Sequence, residues 1–127
     1  MTPLTEEWVQ KAEGDWQVAE REFNAPQSPN YDAVCFHCQQ CAEKYLKARL
    51  NEAAIGSPRA HNLLFLLDLI LPIEPDWERL RDALRRLDQA SVQFRYPGAF
   101  ATGEIAREML RDCRSVRAAL RASLSLP

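Results

Sequence analysis

Four short clusters of proline and small polar residues divide this chain into five pieces: NAPQSPN at 24–30, GSPRAHN at 56–62, PIEP at 72–75 and PGAFATG at 97–103. Clusters of that composition mark loops. Each intervening piece spaces its apolar residues three and four apart, as a helix with one inward face does. None alternates apolar and polar residues in the manner of a half-buried strand. A chain so divided must bury helix against helix. The expected fold is all-α, an up-and-down bundle of about five helices with antiparallel neighbours.

The five segments are about 5–23, 31–53, 62–71, 76–94 and 103–124. The first carries Trp8, Ala12, Trp16, Ala19 and Phe23 on one face, with Thr5 as the expected N-cap. The second carries Tyr31, Val34, Cys35, Cys38, Cys41, Ala42 and Tyr45, and Asn30 can cap it. The third, NLLFLLDLIL, is apolar nearly all round and should be buried on most sides. The fourth repeats at Trp77, Leu80, Leu84, Leu87, Ser91 and Phe94, capped by Asp76. The fifth uses Ala106, Met109, Cys113, Val116, Leu120 and Leu124, capped by Thr102. At 127 residues the chain fits a single domain, 1–127, large enough for a core without staples.

The net charge of −2 and pI near 5.7 give no global field for nucleic acid or anionic lipid. The start, MTPLTEEWVQKAEGD, lacks the pattern of a secretory leader, and LLFLL is far shorter than a membrane span. A cytoplasmic, reducing location is therefore expected, with no membrane association, and the four cysteines are expected as thiols.

Three of those cysteines fall in CFHCQQC at 35–41. Zinc needs about four ligands converging on one point. Here each three-residue step turns by about −60° along a helix, so the thiols spread over roughly a third of its circumference. An iron–sulfur run would want a fourth cysteine at position 45, which is Tyr. The stripe reads instead as small core residues that let a neighbouring helix approach closely, and Cys113 sits on the apolar stripe of the last segment. No metal and no cofactor are expected. Glycine-rich phosphate loops and nucleophile elbows are missing from the sequence.

The second segment, YDAVCFHCQQCAEKYLKARL, resembles the signature helix of the HEPN domain family. AHNLLFLL at 60–67 is similar to the start of that family's third helix, with Ala60 and Asn62 as departures. FRYP at 94–97 is similar to the Arg-Tyr-Pro element that ends its fourth. The resemblance covers nearly the whole chain. It implies a helical bundle that commonly forms a homodimer, and frequent pairing with a separate minimal nucleotidyltransferase, often as a toxin–antitoxin module. Many family members are metal-independent RNases that use Arg, four to six residues, then His. Here no histidine follows Arg95, and Arg59 and His61 are separated by one residue. The sequence therefore assigns no catalytic residue. Three functions stay open: a nucleotidyltransferase partner with a nucleotide contact, an RNase in which His37 or His61 works with Arg95, and a plain helical scaffold.

His37, Gln40, Lys44 and Lys47 form one polar stripe on the second segment. They could meet a phosphate and a base edge, or they could be a partly buried helix edge with His37 bonded to a neighbour. His61, beside Asn62 at a helix start, is either an acid–base or ligand group near His37 or a bond that pins its loop. Arg95, next to Tyr96 and Pro97, would bind phosphate, pair with a carboxylate or cap carbonyls. These residues are the candidate site for a nucleotide or RNA. On the last segment Arg107, Arg111, Arg114 and Arg121 share a side, with Arg117 close. Glu104, Glu108 and Asp112 run beside them, which reads as an ion-paired solvated face.

Overall fold

The computed structural model describes residues 1–56 and 58–127. Ser57, inside the expected 56–62 loop, lies outside the described residues. Five α-helices form: α1 Pro3–Phe23, α2 Tyr31–Glu52, α3 Leu63–Ile70, α4 Arg81–Gln93 and α5 Gly103–Ser123. A 3-10 turn, Pro75–Leu80, precedes α4. No strand occurs among the described residues, and none of their helices is long and apolar enough to cross a membrane. The all-α bundle read from the sequence is the fold observed.

α2 packs against each of the other four α-helices and lies at the middle of the bundle. That position explains its composition. Cys35, Cys38, Cys41 and Ala42 are fully buried and small, which lets neighbouring helices come close. Cys113 of α5 is buried in the same core, and all four cysteines are free. Burial and Asp32 push the Cys35 thiol up to about 11. The apolar stripe of α5, from Ala106 to Leu124, is buried throughout.

Three expectations change. The α1 N-cap is Thr2, three residues before Thr5, and Thr2 Oγ1 accepts from the Thr5 N–H at 3.1 Å. Pro3 is the cause: its fixed φ and missing N–H suit the first helical position. Thr5 is instead buried, and its hydroxyl receives the Asn51 amide at 2.9 Å. The fourth segment divides into the 3-10 turn and α4, and Asp76 caps neither. The tighter three-residue period still sets Trp77 and Leu80 on one inner side. α3 buries Leu63, Leu66, Leu67 and Ile70 against α2, α4 and the 3-10 turn but leaves Phe65 exposed. Asn30, Asn62 and Thr102 cap α2, α3 and α5 by side-chain bonds.

Candidate functional site

The polar stripe of α2 lies along α1 for most of its length. His37 Nδ1 sits 2.7 Å from Asp15 Oδ1, and Lys44 donates to the other oxygen of the same carboxylate. Lys47 is buried, donates to Glu43 Oε2 at 3.2 Å and stands over the Trp8 ring at 5.6 Å. So His37, Lys44 and Lys47 serve the α1–α2 contact. A helix edge of paired charges is what the structure makes of them.

A groove of about 570 Å³ opens on another side of α2, against α4 and the start of α3. It gathers Gln40, His61 and Arg95 from the sequence candidates. His37, Lys44, Lys47 and Tyr96 do not line it. Tyr96 is exposed beyond the end of α4.

Gln39 organises the groove floor. It is buried, and its amide N–H donates to the His61 carbonyl at 3.1 Å, with Glu43 and Asp88 each at 3.4 Å. Gln40 donates to Gln39 Oε1 at 2.9 Å. Asp88 Oδ2 accepts the Leu63 N–H at 2.8 Å, which ties α4 to the first turn of α3. Burial raises the Asp88 carboxyl above its usual value, against the lowering bonds from Leu63 and Gln39.

His61 Nδ1 lies 3.2 Å from Glu43 Oε2, while the ring is 78% exposed. A buried carboxylate thus orients an accessible imidazole, the arrangement that suits a histidine for proton transfer or for hydrogen bonding to a ligand. His61 and His37 engage carboxylates on different helices, so the expected pairing of the two histidines does not form. Arg95 donates to Ser91 Oγ at 3.0 Å, and its guanidinium stands 5.8 Å from the centre of the Phe36 ring. Among the described residues it makes no ion pair. The exposed guanidinium keeps donors for an anion entering the groove.

Sequence reading did not single out Phe36, Gln39, Glu43, Asp88 or Ser91 as site residues. One signal was present: Asp88 falls beside the apolar stripe of its helix, four residues after Leu84 and three before Ser91. A carboxylate near an inward face implies a partner. Gln39 and Glu43 give no such mark, since an amphipathic helix carries polar residues at that phase in any case.

On α5 two of the arginines find charged or polar partners outside their own helix. Arg117 and Arg121 engage Glu13 of α1, and Arg121 also donates to the Tyr45 hydroxyl at 2.9 Å. Asp112 and Glu108 are taken by Arg86 of α4.

The family model described as HEPN domain matches residues 5–123. The crystal structure of TT1696 from Thermus thermophilus is similar, with a TM-score of 0.76 and 24% identity, covering 95% of this chain and 98% of that one. At that identity the likeness speaks for the fold. No curated protein gives a significant match.

Proposed function

We propose that this chain, which belongs to the HEPN domain family, acts as a non-catalytic single-domain bundle over residues 1–127 that dimerises and partners a separate minimal nucleotidyltransferase. The module is of the toxin–antitoxin kind, and the α2–α4 groove supplies a nucleotide contact. The observation that carries the site is Arg95. It is exposed, held in place by Ser91 and the Phe36 ring, and spends no donor on a carboxylate among the described residues. The acidic groups in the same groove are already occupied, Glu43 by Lys47 and His61, Asp88 by Leu63 and Gln39. An incoming phosphate meets Arg95 as the exposed arginine of the groove, and the Gln40 amide lines the same groove for a base edge. The nucleotidyltransferase carries the metal-dependent chemistry in this reading.

The test is capture of partners by the tagged full-length chain from cells of its source, with wild type, Arg95→Glu and Gln40→Ala compared. The expected result is a stoichiometric nucleotidyltransferase with wild type, and altered partner or nucleotide binding in the variants. Recovery of no nucleotidyltransferase would overturn the pairing. Unchanged binding by both variants would remove the groove from it.

A second reading has its own support. His61 and Arg95 line one groove, so an acid–base group and a phosphate-binding group face the same space. A metal-independent RNase built on them would cut RNA in the presence of chelator and lose that activity in His61→Ala but not in His37→Ala.

A further inference from the structure

We infer that the face shared by α1 and α5 is a docking site for an acidic helical segment of a partner protein, read by Arg107, Arg111 and Arg114. This face lies on different residues from the α2–α4 groove, so its role stands or falls independently of the groove's.

The three arginines are exposed and sit at positions i, i+4 and i+7 of α5. At about 1.5 Å of rise per residue they step along one side by roughly 6 and then roughly 4.5 Å. Two of the three acidic residues beside them on α5 face elsewhere. The Asp112 side chain is 8% exposed, and its two oxygens accept from Arg86 Nε at 2.8 Å and Nη2 at 3.0 Å. Glu108 also turns to Arg86, at 3.5 Å. The third, Glu104, lies on the same side in the first turn, where it favours the helix dipole, and makes no ion pair among the described residues. Arg107 stands over the Phe23 ring at 5.7 Å and Arg114 over the Trp16 ring at 5.7 Å, so both guanidiniums are positioned by α1 without being neutralised. Arg111 has no side-chain partner among the described residues. The three border a cleft of about 300 Å³ between the end of α1 and α5, whose one carboxylate is Glu20, and Glu20 pairs with none of them.

Arginine forks take carboxylate and phosphate equally well, so the surroundings decide the occupant. Single-stranded nucleic acid wants aromatic faces for its bases. Here Trp16 and Phe23 are covered by the guanidiniums, Trp16 by Arg117 as well as Arg114. Duplex binding draws on many phosphate contacts, and this face offers a short row of arginines on a body of net charge −2. A helix carrying glutamates at the same i, i+4, i+7 spacing matches the row in charge and pitch.

The probe is a fluorescent alanine-based helical peptide with Glu at i, i+4 and i+7, titrated into the full chain at low ionic strength. Its Gln counterpart and a short single-stranded RNA serve as competitors. The acidic peptide should bind saturably, the Gln peptide should not compete, and Arg111→Gln should weaken binding about tenfold. The Arg111 side chain is exposed and makes no hydrogen bond or ion pair among the described residues. Arg85→Gln removes the same charge from a residue paired with Asp82, and should leave binding unchanged. Absence of binding, equal binding by Arg111→Gln, or displacement of the peptide by RNA in preference would overturn the inference. So would self-association of the chain that Arg111→Gln abolishes, since the occupant would then be a second copy.

Discussion

Arg117 grips Glu13 with both arms of its fork, Nε at 2.7 Å from Oε2 and Nη2 at 2.6 Å from Oε1, across 104 residues of sequence. Tyr45 donates its hydroxyl to the same carboxylate, and Arg121 donates to Tyr45, so α1, α2 and α5 meet at one anion. Burial pushes the Glu13 carboxyl up, but the bonds from Arg117 and Tyr45 outweigh it and hold it below its usual value. Glu13→Gln should destabilise the bundle by about 2 kcal/mol at neutral pH, because it leaves two partly buried guanidiniums short of a counter-charge. The pH dependence has a definite sign. A carboxylate depressed in the fold contributes fully above its unfolded value near 4.5, and the contribution fades as pH falls through the folded value. The stability gap between wild type and Glu13→Gln should therefore close on acidification below about 4.5. Urea denaturation across pH measures it, and a gap that widens in acid would refute the assignment.

Most of the bundle was legible because its signals are local. Asn30 and Thr102 cap the helices they precede, and the apolar stripes of α4 and α5 are the stripes that bury. The α1 start was misplaced because Thr2 and Thr5 both qualify as caps, and Pro3 decides between them. The site was less legible because its pairings cross helices. Nothing in the pattern of α2 says that His37 and Lys44 share Asp15 while Gln40 turns to the groove. On α5, same-helix spacing pointed to intrahelical ion pairs, but bidentate geometry across the interface gives Arg117 to Glu13 and Asp112 to Arg86.

The thiols should behave as core atoms. Cys35, Cys38, Cys41 and Cys113 are fully buried. The Cys113 thiol is raised by its hydrogen bond with Cys38 and by burial, and the Cys41 thiol by its bond with Cys113 and by burial. Native protein should react with a thiol reagent only at the rate at which it opens, and all four cysteines should label together on unfolding. Chelator should leave the melting temperature unchanged. Fast labelling of any one cysteine in the native state would contradict the packing.

Asp32 anchors the loop between α4 and α5. Its Oδ1 accepts the Ala101 N–H at 2.7 Å from 69 residues away, and no other hydrogen bond among the described residues holds that stretch to α2. Asp32→Ala should cost about 2 kcal/mol, the size of a charge-assisted bond plus a lost first-turn acid. The Ala101 amide should lose hydrogen-exchange protection while the amides of α1 keep theirs. Equal loss everywhere would mean that Asp32 acts on the whole fold rather than on this loop.

Lys47 and Glu43 test whether a buried pair beneath the groove holds the structure or merely coexists with it. Their side chains are 6% and 5% exposed, and they lie 3.2 Å apart. Removing one leaves the other buried without its counter-charge, so Lys47→Met should cost about 3 kcal/mol. Glu43→Gln should cost a similar amount, because the buried Lys47 ammonium then faces the Trp8 ring and a neutral amide in place of its counter-charge. The double variant removes both charges together and should cost well under the sum, with a coupling of about 1–3 kcal/mol. His61 supplies a second readout. With Glu43→Gln its ring loses the carboxylate that orients it, so its imidazole NMR signals should move toward those of an unrestrained histidine. Lys47→Met should leave that contact in place. Additive losses in the denaturation cycle, or unmoved His61 signals in Glu43→Gln, would show that the buried charges do not act as a unit.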